Sequence, residues 1–200
     1  MTSDTQTTPP DAQTTPPHAP TPHAPTPVVD YDPLAAQRAA DGPEFDVSLW
    51  GTVFLDIIFT GLRSMPVHGT EVMADGMGSS PGGIANLAVA ARRLGLRTSL
   101  AAAFGDDDYA DFCWRTLAEQ EGVDLSRSRR LRDWHTPVTI SLALERDRTM
   151  VTHAHEPPRS SVPGPAPSRA VLADLGSAGD PDGDAQEWLR ADWGCAPRSR

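Results

Sequence analysis

The residues best suited to ligand chemistry lie where two glycines, Gly82 and Gly83, precede Asn86. The segment reads Ser-Pro-Gly-Gly-Ile-Ala-Asn and runs into small and apolar residues that predict a helix over about residues 84–94. Glycine allows close approach of backbone to a ligand, and the first turn of a helix presents unpaired N–H groups. The pattern therefore predicts a turn that holds a polar or anionic small molecule.

A second candidate is Asp56, a charged residue inside an apolar run. Residues 47–59 are rich in β-branched and aromatic side chains, which predicts a strand buried on both faces and broken around Gly51. A carboxylate in such a run has two explanations: it accepts backbone hydrogen bonds at a strand end, or it contacts a ligand. Asn86 has a similar alternative, because a first-turn residue can satisfy the local backbone instead of a ligand.

The elements that must position these residues follow an α/β order. We predict a short strand at residues 70–74 with a glycine-rich exit, the helix closed by Gly95, and a strand at 97–104. A second helix opens in the acidic segment after Gly105 and ends near residues 121–122. Its apolar positions share one face and are Tyr109, Phe112, Cys113, Thr116 and Leu117. Alternating strands and helices predict a mostly parallel sheet.

The pattern changes to two β-rich runs after residue 135. Residues 136–145 and 149–155, joined by a short charged turn, predict a hairpin, and residues 170–176 predict a further sheet strand followed by a helix at 186–193. His153 and His155 fall on one face of the second hairpin strand and could ligate a metal. No third ligand is evident, so we interpret the pair as strand-end packing and predict no metal site.

Composition excludes several classes of function. The 200 residues carry a formal charge of −10, and all 17 basic residues are arginine, so a nucleic-acid partner is not expected. No apolar run is long enough to span a bilayer, and the first residues do not resemble a signal peptide, so no membrane association is expected. Cys113 and Cys195 cannot build a disulfide framework. We expect a soluble protein of the reducing cytoplasm.

The chain divides into three regions by composition. Residues 1–43 are a Thr- and Pro-rich low-complexity segment that predicts a disordered tail. Residues 44–156 hold the patterned strands and helices. Residues 157–200 predict an incomplete continuation, because residues 194–200 have no element to complete; we expect a truncated or frameshifted end.

The order of motifs over residues 46–156 resembles the first half of the ribokinase-like, PfkB family of carbohydrate kinases. The Gly-Thr-Val-Phe-Leu-Asp segment at 51–56 resembles the first strand of that family, and residues 68–72 resemble its lid strand. The two glycines with Asn86, followed by Ala88, Gly95 and Gly105, resemble its first signature, and residues 136–153 resemble its hairpin with an arginine-containing turn. The resemblance implies a ribokinase-like three-layer α/β sandwich with a small β lid.

The resemblance also implies a function. The family transfers a phosphoryl group from ATP, with Mg²⁺, to a hydroxyl of a sugar or nucleoside, and its lid strands often pair across a homodimer. By resemblance, Asp56, Gly82, Gly83 and Asn86 would bind the substrate, since a carboxylate and a carboxamide can pair with its hydroxyls. Two departures leave the substrate open: Phe54 stands where several relatives carry Asn, and the spacing from Gly83 to Asn86 is one residue short.

The part of the family that carries the ATP pocket and the catalytic Asp has no clear counterpart. The Asp-Leu-Gly-Ser-Ala-Gly-Asp segment ending at Asp180 imitates the catalytic turn, but the Pro-Asp-Gly-Asp that follows does not begin an apolar helix. We therefore interpret Asp180 as a coincidental match that still has to be tested as the base. Two hypotheses remain: an ATP-dependent carbohydrate kinase, complete only with further sequence, or a non-catalytic sugar-binding or dimerising fragment. A dinucleotide-binding domain fits poorly, because the glycine pair does not follow a first βα turn.

Overall fold

The computed structural model describes residues 32–144, 147–158 and 161–173, which form two main sheets and two helices. After a 3₁₀ turn at Ala35–Gln37, the elements in chain order are β1 (Phe45–Trp50), β2 (Val53–Thr60), β3 (Gly76–Gly83), α1 (Ile84–Arg93), β4 (Thr98–Ala101), β5 (Ala103–Phe104), α2 (Asp108–Arg115) with a π-helical turn (Thr116–Gln120), β6 (Arg129–Arg130), β7 (Val138–Leu144), β8 (Asp147–His153) and β9 (Ser168–Ala173). The mixed α/β order matches the predicted fold class.

The first sheet is parallel and forms one side of the core. Its strand order is β4-β1-β9, and the short pair β5-β6 is also parallel. Leu49 of β1 and Leu100 of β4 are completely buried, and Ala85 and Ala88 of α1 are buried in the same cluster. Because alanines lie on its buried face, α1 can pack closely on the sheet.

Asp46 anchors the N-terminal segment to this sheet. Its buried carboxylate accepts hydrogen bonds from Arg38 (Nε 3.1 Å, Nη2 2.5 Å) and from the backbone N–H of Arg97 (2.8 Å). Arg169 of β9 lies 3.8 Å from the same carboxylate and donates to the carbonyl of Gln37. Gln37 and Arg38, which the sequence places in the low-complexity tail, therefore contact the sheet.

The second sheet, which we call the lid sheet, has the strand order β3-β2-β7-β8. β2 pairs antiparallel with β3 and parallel with β7, and β7 pairs antiparallel with β8. The hairpin predicted for residues 136–155 is thus confirmed as β7 and β8. Its register fixes the two faces of the sheet, because successive side chains of a strand point to opposite sides.

The two faces of the lid sheet carry different sets of side chains. Across the four strands, the side chains of four paired polar residues form a transverse line that we call the polar row: Ser80, Asp56, Thr139 and Thr152. The opposite face, which we call the apolar face, carries Ile57, Ile140 and Val151 in the neighbouring register row, and Phe59 and Met77 in the next. Met77, Ile140 and Val151 are exposed.

Two sequence-based strand predictions need correction. The run at 47–59 breaks around Gly51 as predicted, but its two parts, β1 and β2, belong to different sheets, and only β1 is buried along most of its length. No strand forms at residues 70–74 or at the resembling segment 68–72; the glycine-rich segment after it is the strand, β3, paired with β2 over its whole length. Residues 80–83 therefore end a strand and are not a free turn.

The helix predictions are confirmed in their main points. α1 ends at Arg93, and Gly95 follows with a positive φ of 86° and a hydrogen bond to the carbonyl of Arg92 (2.9 Å). α2 and its π-helical turn end before Gly122, at a φ of 68°. Cys113 and Leu117 are buried as predicted, whereas Tyr109 is exposed.

Residue 170 onward was predicted as a strand, and β9 confirms this up to Ala173, beginning two residues earlier. The predicted helix at 186–193 lies outside the described residues, as do Cys195 and Asp180. None of the helices in the described residues combines the length and the apolar character needed to cross a bilayer.

Candidate functional site

The site predicted from the sequence lies at the junction between β3 and α1, beside the middle of β2. Asp56 pairs in register with Ser80, and its carboxylate reaches diagonally to the backbone of Gly82. A Cβ on Gly82 would overlap all three carboxyl atoms of Asp56. Gly82 is therefore required for a reason visible in the structure: its missing side chain leaves the space that the carboxylate occupies.

Gly83 is required at the junction for two reasons. Its φ of 64° is a conformation that residues with a Cβ rarely adopt. A Cβ here would also collide with the carbonyl oxygen of Thr52 and lie 2.7 Å from the ring of Phe54. Phe54, the residue that departs from the resembling pattern, thus packs against the glycine pair. Gly83 caps α1 without a side-chain hydrogen bond.

Asp56 is half-buried and lies in the middle of β2, so the strand-end explanation does not hold. Within the described residues, no hydrogen-bond donor reaches its carboxylate. Burial raises the pKa of Asp56, and the positive charge of Arg148 on the same face opposes this only partly. A carboxylate held in this way has unused acceptor capacity, which a hydroxyl-bearing ligand can satisfy.

Asn86 lies in the first turn of α1 and is exposed. Its carboxamide makes no hydrogen bond with any described residue, so the alternative that it satisfies the local backbone is not observed. Three positions separate it from Gly83, and the structure gives no direct contact between Asn86 and Asp56. Asp56 reaches Gly82 from β2, and Asn86 follows the glycine pair along the chain in the first turn of α1.

A network that the sequence analysis missed joins α2 to the lid sheet. Asp107, the N-cap of α2, accepts hydrogen bonds from the Ala110 backbone (2.8 Å), and from the backbone N–H and the hydroxyl of Thr136, each at 2.8 Å. The Thr136 hydroxyl in turn accepts from the backbone N–H of Gly105 at 2.9 Å. The signal was present as a Gly-Asp-Asp segment and a Thr before β7, but only the fold brings them together.

Asp107 is held as an anion by this network. Burial acts to raise its pKa, but the hydrogen bonds from Thr136 and Ala110 outweigh burial, so the pKa of Asp107 is lowered. An open concavity of about 660 Å³ borders the network and is lined by Asp106, Asp107, Arg132, Asp133, Trp134 and His135. It contains none of the four predicted substrate-binding residues.

Three histidine rings meet near the end of β8. His153 ends β8, and His155 lies beyond it; both are exposed, and their rings meet edge to face at 4.7 Å between centroids. The ring of His135 meets His153 at 5.4 Å. In the described part of the chain, no group of three or more His, Cys, Asp or Glu residues is arranged to hold a metal ion.

Cys113 is a structural thiol near the same strand. It is completely buried and lies 3.8 Å from the carbonyl oxygen of Phe54. Burial, assisted by the negative charges of Asp56 and Asp107, raises the pKa of the Cys113 thiol to about 12. Because the thiolate is the reactive form, burial and the raised pKa disfavour a nucleophilic role for Cys113.

The model of the pfkB family carbohydrate kinases matches residues 46–157. This chain belongs to the pfkB carbohydrate kinase family. No curated protein sequence matches it.

Solved structures share the same fold. A ribokinase candidate from Agrobacterium tumefaciens has 26% sequence identity and a TM-score of 0.51, covering 55% of this chain and 36% of that chain. A ribokinase from Cryptococcus neoformans var. grubii, solved in complex with ADP, has 24% identity and a TM-score of 0.51, covering 73% of this chain and 45% of that chain. The chain therefore spans less than half the length of these two solved structures.

Proposed function

We propose that this chain carries the acceptor-binding part of an ATP-dependent carbohydrate kinase, which transfers a phosphoryl group to a hydroxyl of a sugar or nucleoside. The acceptor would bind at the junction of β3 and α1, where Asp56 and Asn86 hydrogen-bond its hydroxyls and Gly82 and Gly83 allow close approach of the backbone. The observation that carries the proposal is the half-buried Asp56 carboxylate, which receives no hydrogen bond from the described residues.

The residues described by the structure do not fit ATP and Mg²⁺. The N-terminus of α2 carries Asp107, Asp108 and Asp111, which would repel phosphate. No three-residue acidic or histidine cluster for a metal occurs in the described ranges. We therefore derive no step of phosphoryl transfer from these residues, and Asp180, the candidate base, lies outside them.

The alternative is a sugar-binding or dimerising protein without phosphoryl transfer. The misfit to ATP among the described residues favours it. Both functions use the same acceptor site. They differ in whether ATP is consumed.

Two measurements on the 200-residue protein test the proposal. Binding of D-ribose, D-fructose, D-glucose and adenosine is measured by calorimetry, and ATP consumption is measured with each compound in the presence of Mg²⁺. We expect at least one compound to bind and Asp56→Asn to abolish its binding, while Asp75→Asn, an exposed carboxylate outside the site, leaves it intact. Absence of binding across the panel would refute the acceptor site.

ATP consumption decides between the two functions. Turnover that requires the acceptor supports the kinase, and Asp180→Asn then shows whether that residue is the base. Binding without turnover supports the alternative.

The partner and the cellular location are part of the same proposal. We place a homodimer contact on the apolar face of the lid sheet, because exposed Met77, Ile140 and Val151 lie there.

The unpaired, buried Cys113 is consistent with a reducing cytoplasm. We keep residues 44–156 as the domain unit, extended at its N-terminal side by the residues that contact Asp46.

A further inference from the structure

The polar row of the lid sheet contains hydroxyl groups that the proposed acceptor site does not use. Asp56 is paired in register with Ser80 on one side and with Thr139 on the other, and Thr139 is paired with Thr152. All four side chains point to the same face, the one that holds the Asp56 carboxylate against Gly82.

Thr139 and Thr152 form a hydroxyl pair beside this carboxylate. Their Oγ1 atoms lie 3.0 Å apart, and either hydroxyl can be the donor. Whichever one donates, the other keeps its own proton, and both keep acceptor lone pairs. Thr139 is 9% exposed whereas Thr152 is exposed, so the pair extends from the interior of the sheet to its open edge.

The other two members of the row are Asp56 and Ser80. Neither the Asp56 carboxylate nor the Ser80 hydroxyl makes a hydrogen bond with a described residue. Hydrogen-bonding capacity is therefore left over along the row. Threonine could occupy these strand positions for its β propensity alone. That explanation does not account for Asp56, whose burial raises its pKa and disfavours its charged form.

The spacing of the row suits a ring that carries several hydroxyls. Neighbouring strands lie about 4.8 Å apart, so Asp56 and the threonine pair present polar groups at about that interval. Equatorial hydroxyls two carbons apart on a six-membered ring have a similar separation. A cyclic polyol can therefore bind Asp56 with one hydroxyl and reach the threonine pair with another.

We propose that the Thr139–Thr152 hydroxyl pair is a specificity-determining part of the acceptor site that hydrogen-bonds a second hydroxyl of a cyclic polyol bound to Asp56. This inference rests on the proposed function. A site built to hydrogen-bond a hydroxyl discriminates against the analogue that lacks it. The pair would thus select among sugars that differ by one hydroxyl.

The test compares sugars with their monodeoxy analogues. The 200-residue protein is titrated by calorimetry with D-glucose, D-fructose, D-ribose and adenosine, and then with the available monodeoxy forms of whichever compound binds. The variant Thr139→Val/Thr152→Val removes both hydroxyls and keeps side-chain shape. Thr152→Val alone, at an exposed position, serves if the double variant does not fold. Thr149→Val is the matched control, because it lies on the same strand and the opposite face.

We expect the double variant to weaken binding of the parent sugar about tenfold, and Thr149→Val to leave it unchanged. One monodeoxy analogue, lacking the hydroxyl that meets the pair, should bind the wild type and the double variant equally. Thr139→Ser/Thr152→Ser should restore affinity for the parent sugar.

Three results would overturn the inference: unchanged affinity in the double variant, an equal loss for the parent sugar and every analogue, or no binding by the wild type. If the threonine variants have no effect while Asp56→Asn abolishes binding, this inference fails and the proposed function stands. If the wild type binds no member of the panel, the proposed function fails as well.

Discussion

Asp107 accepts two hydrogen bonds from one residue, Thr136: one from its backbone N–H and one from its hydroxyl, each 2.8 Å long. Asp107 begins α2, and Thr136 precedes the central lid strand β7, so this pair joins the core layer to the lid sheet. The same carboxylate also caps α2 through Ala110. One side chain thus stabilises a helix and fixes the entry of a sheet strand.

Replacing Asp107 should destabilise the protein strongly. Asp107→Ala removes an N-cap and leaves the buried N–H of Thr136 without its acceptor, so we expect a loss of about 3 kcal/mol in the free energy of unfolding. Asp108→Ala, at the neighbouring exposed position, should cost about 0.5 kcal/mol through the helix dipole alone. Urea unfolding followed by circular dichroism measures both. Similar losses in the two variants would contradict the anchoring role.

Acid should weaken the fold through two carboxylates. Burial acts to raise the pKa of Asp46, but hydrogen bonds from Arg38 and Arg97 outweigh it, so the pKa lies below its ordinary value of 3.8, as that of Asp107 does. The stabilisation that these two carboxylates provide is fully present at a pH above their ordinary pKa. It is lost as the pH falls through their lowered pKa values. We expect the free energy of unfolding to fall steeply below about pH 4.

Charge-neutral variants isolate this effect. Asp46→Asn and Asp107→Asn should be less stable than the wild type at pH 7, and the difference should narrow as the pH falls below about 4. Asp111→Asn, which breaks an exposed ion pair with Arg130, is the control and should change little at any pH. If the difference in unfolding free energy between these variants and the wild type stayed constant across the pH range, the two carboxylates would not be the source of the acid sensitivity.

Asp56 should show the opposite pH behaviour. Its folded pKa is raised by burial, so its ionisation destabilises the fold as the pH rises through that value. We expect Asp56→Asn to be more stable than the wild type at pH 7 and equal to it well below pH 4, while it loses sugar binding. Thermal unfolding at both pH values measures the gain in stability, and calorimetric titration measures the loss of sugar binding. A destabilised Asp56→Asn would mean that the carboxylate has a structural partner.

The glycine pair should be intolerant of a methyl group. Gly83→Ala forces a φ of 64° on a residue with a Cβ and brings that atom against Thr52, and we expect a loss of at least about 2 kcal/mol. Gly82→Ala displaces the Asp56 carboxylate and should abolish sugar binding. Gly78→Ala, on the same strand with open space at its Cβ position, is the control and should be neutral. Calorimetry and thermal unfolding distinguish the three.

The apolar face should mediate self-association. Val151→Asp places a charge on this face, whereas Met150→Asp places one on the opposite face of the same strand, the face of the polar row. We expect the wild type and Met150→Asp to sediment as dimers and Val151→Asp as a monomer. Sedimentation velocity at several concentrations measures this, and a monomeric wild type would exclude the lid contact.

The sequence predicted those elements whose local signals agree with their tertiary surroundings. α1 is marked by alanines on its buried face and by Gly95 after its end, and the β7–β8 hairpin by two β-rich runs and a short turn. The assignment of Asp56 and the glycine pair to one neighbourhood also follows from the motif order. In these places local propensity and the fold favour the same conformation.

β3 could not be predicted because its residues have low strand propensity. Four glycines and Pro81 stand in eight positions, and the strand exists because β2 supplies a partner along its whole length. Proline is tolerated there because β3 is an edge strand. Residues 70–74 look more strand-like but pair with nothing in the described chain. The Arg38–Asp46 anchor gave no sequence signal, since it is a tertiary contact between a segment outside the sheets and the buried start of β1.

The parallel pairing of β2 with β7 also constrains how the chain acquires its fold. β2 leaves the ribosome early, yet its parallel partner starts only at Val138, and β9, the second partner of β1, starts only at Ser168. Long sequence separations between paired strands slow folding and prolong the exposure of unpaired edges. During synthesis, one edge of β2 therefore stays unpaired until most of the described chain has been made. We expect a chaperone to bind the nascent protein during this interval.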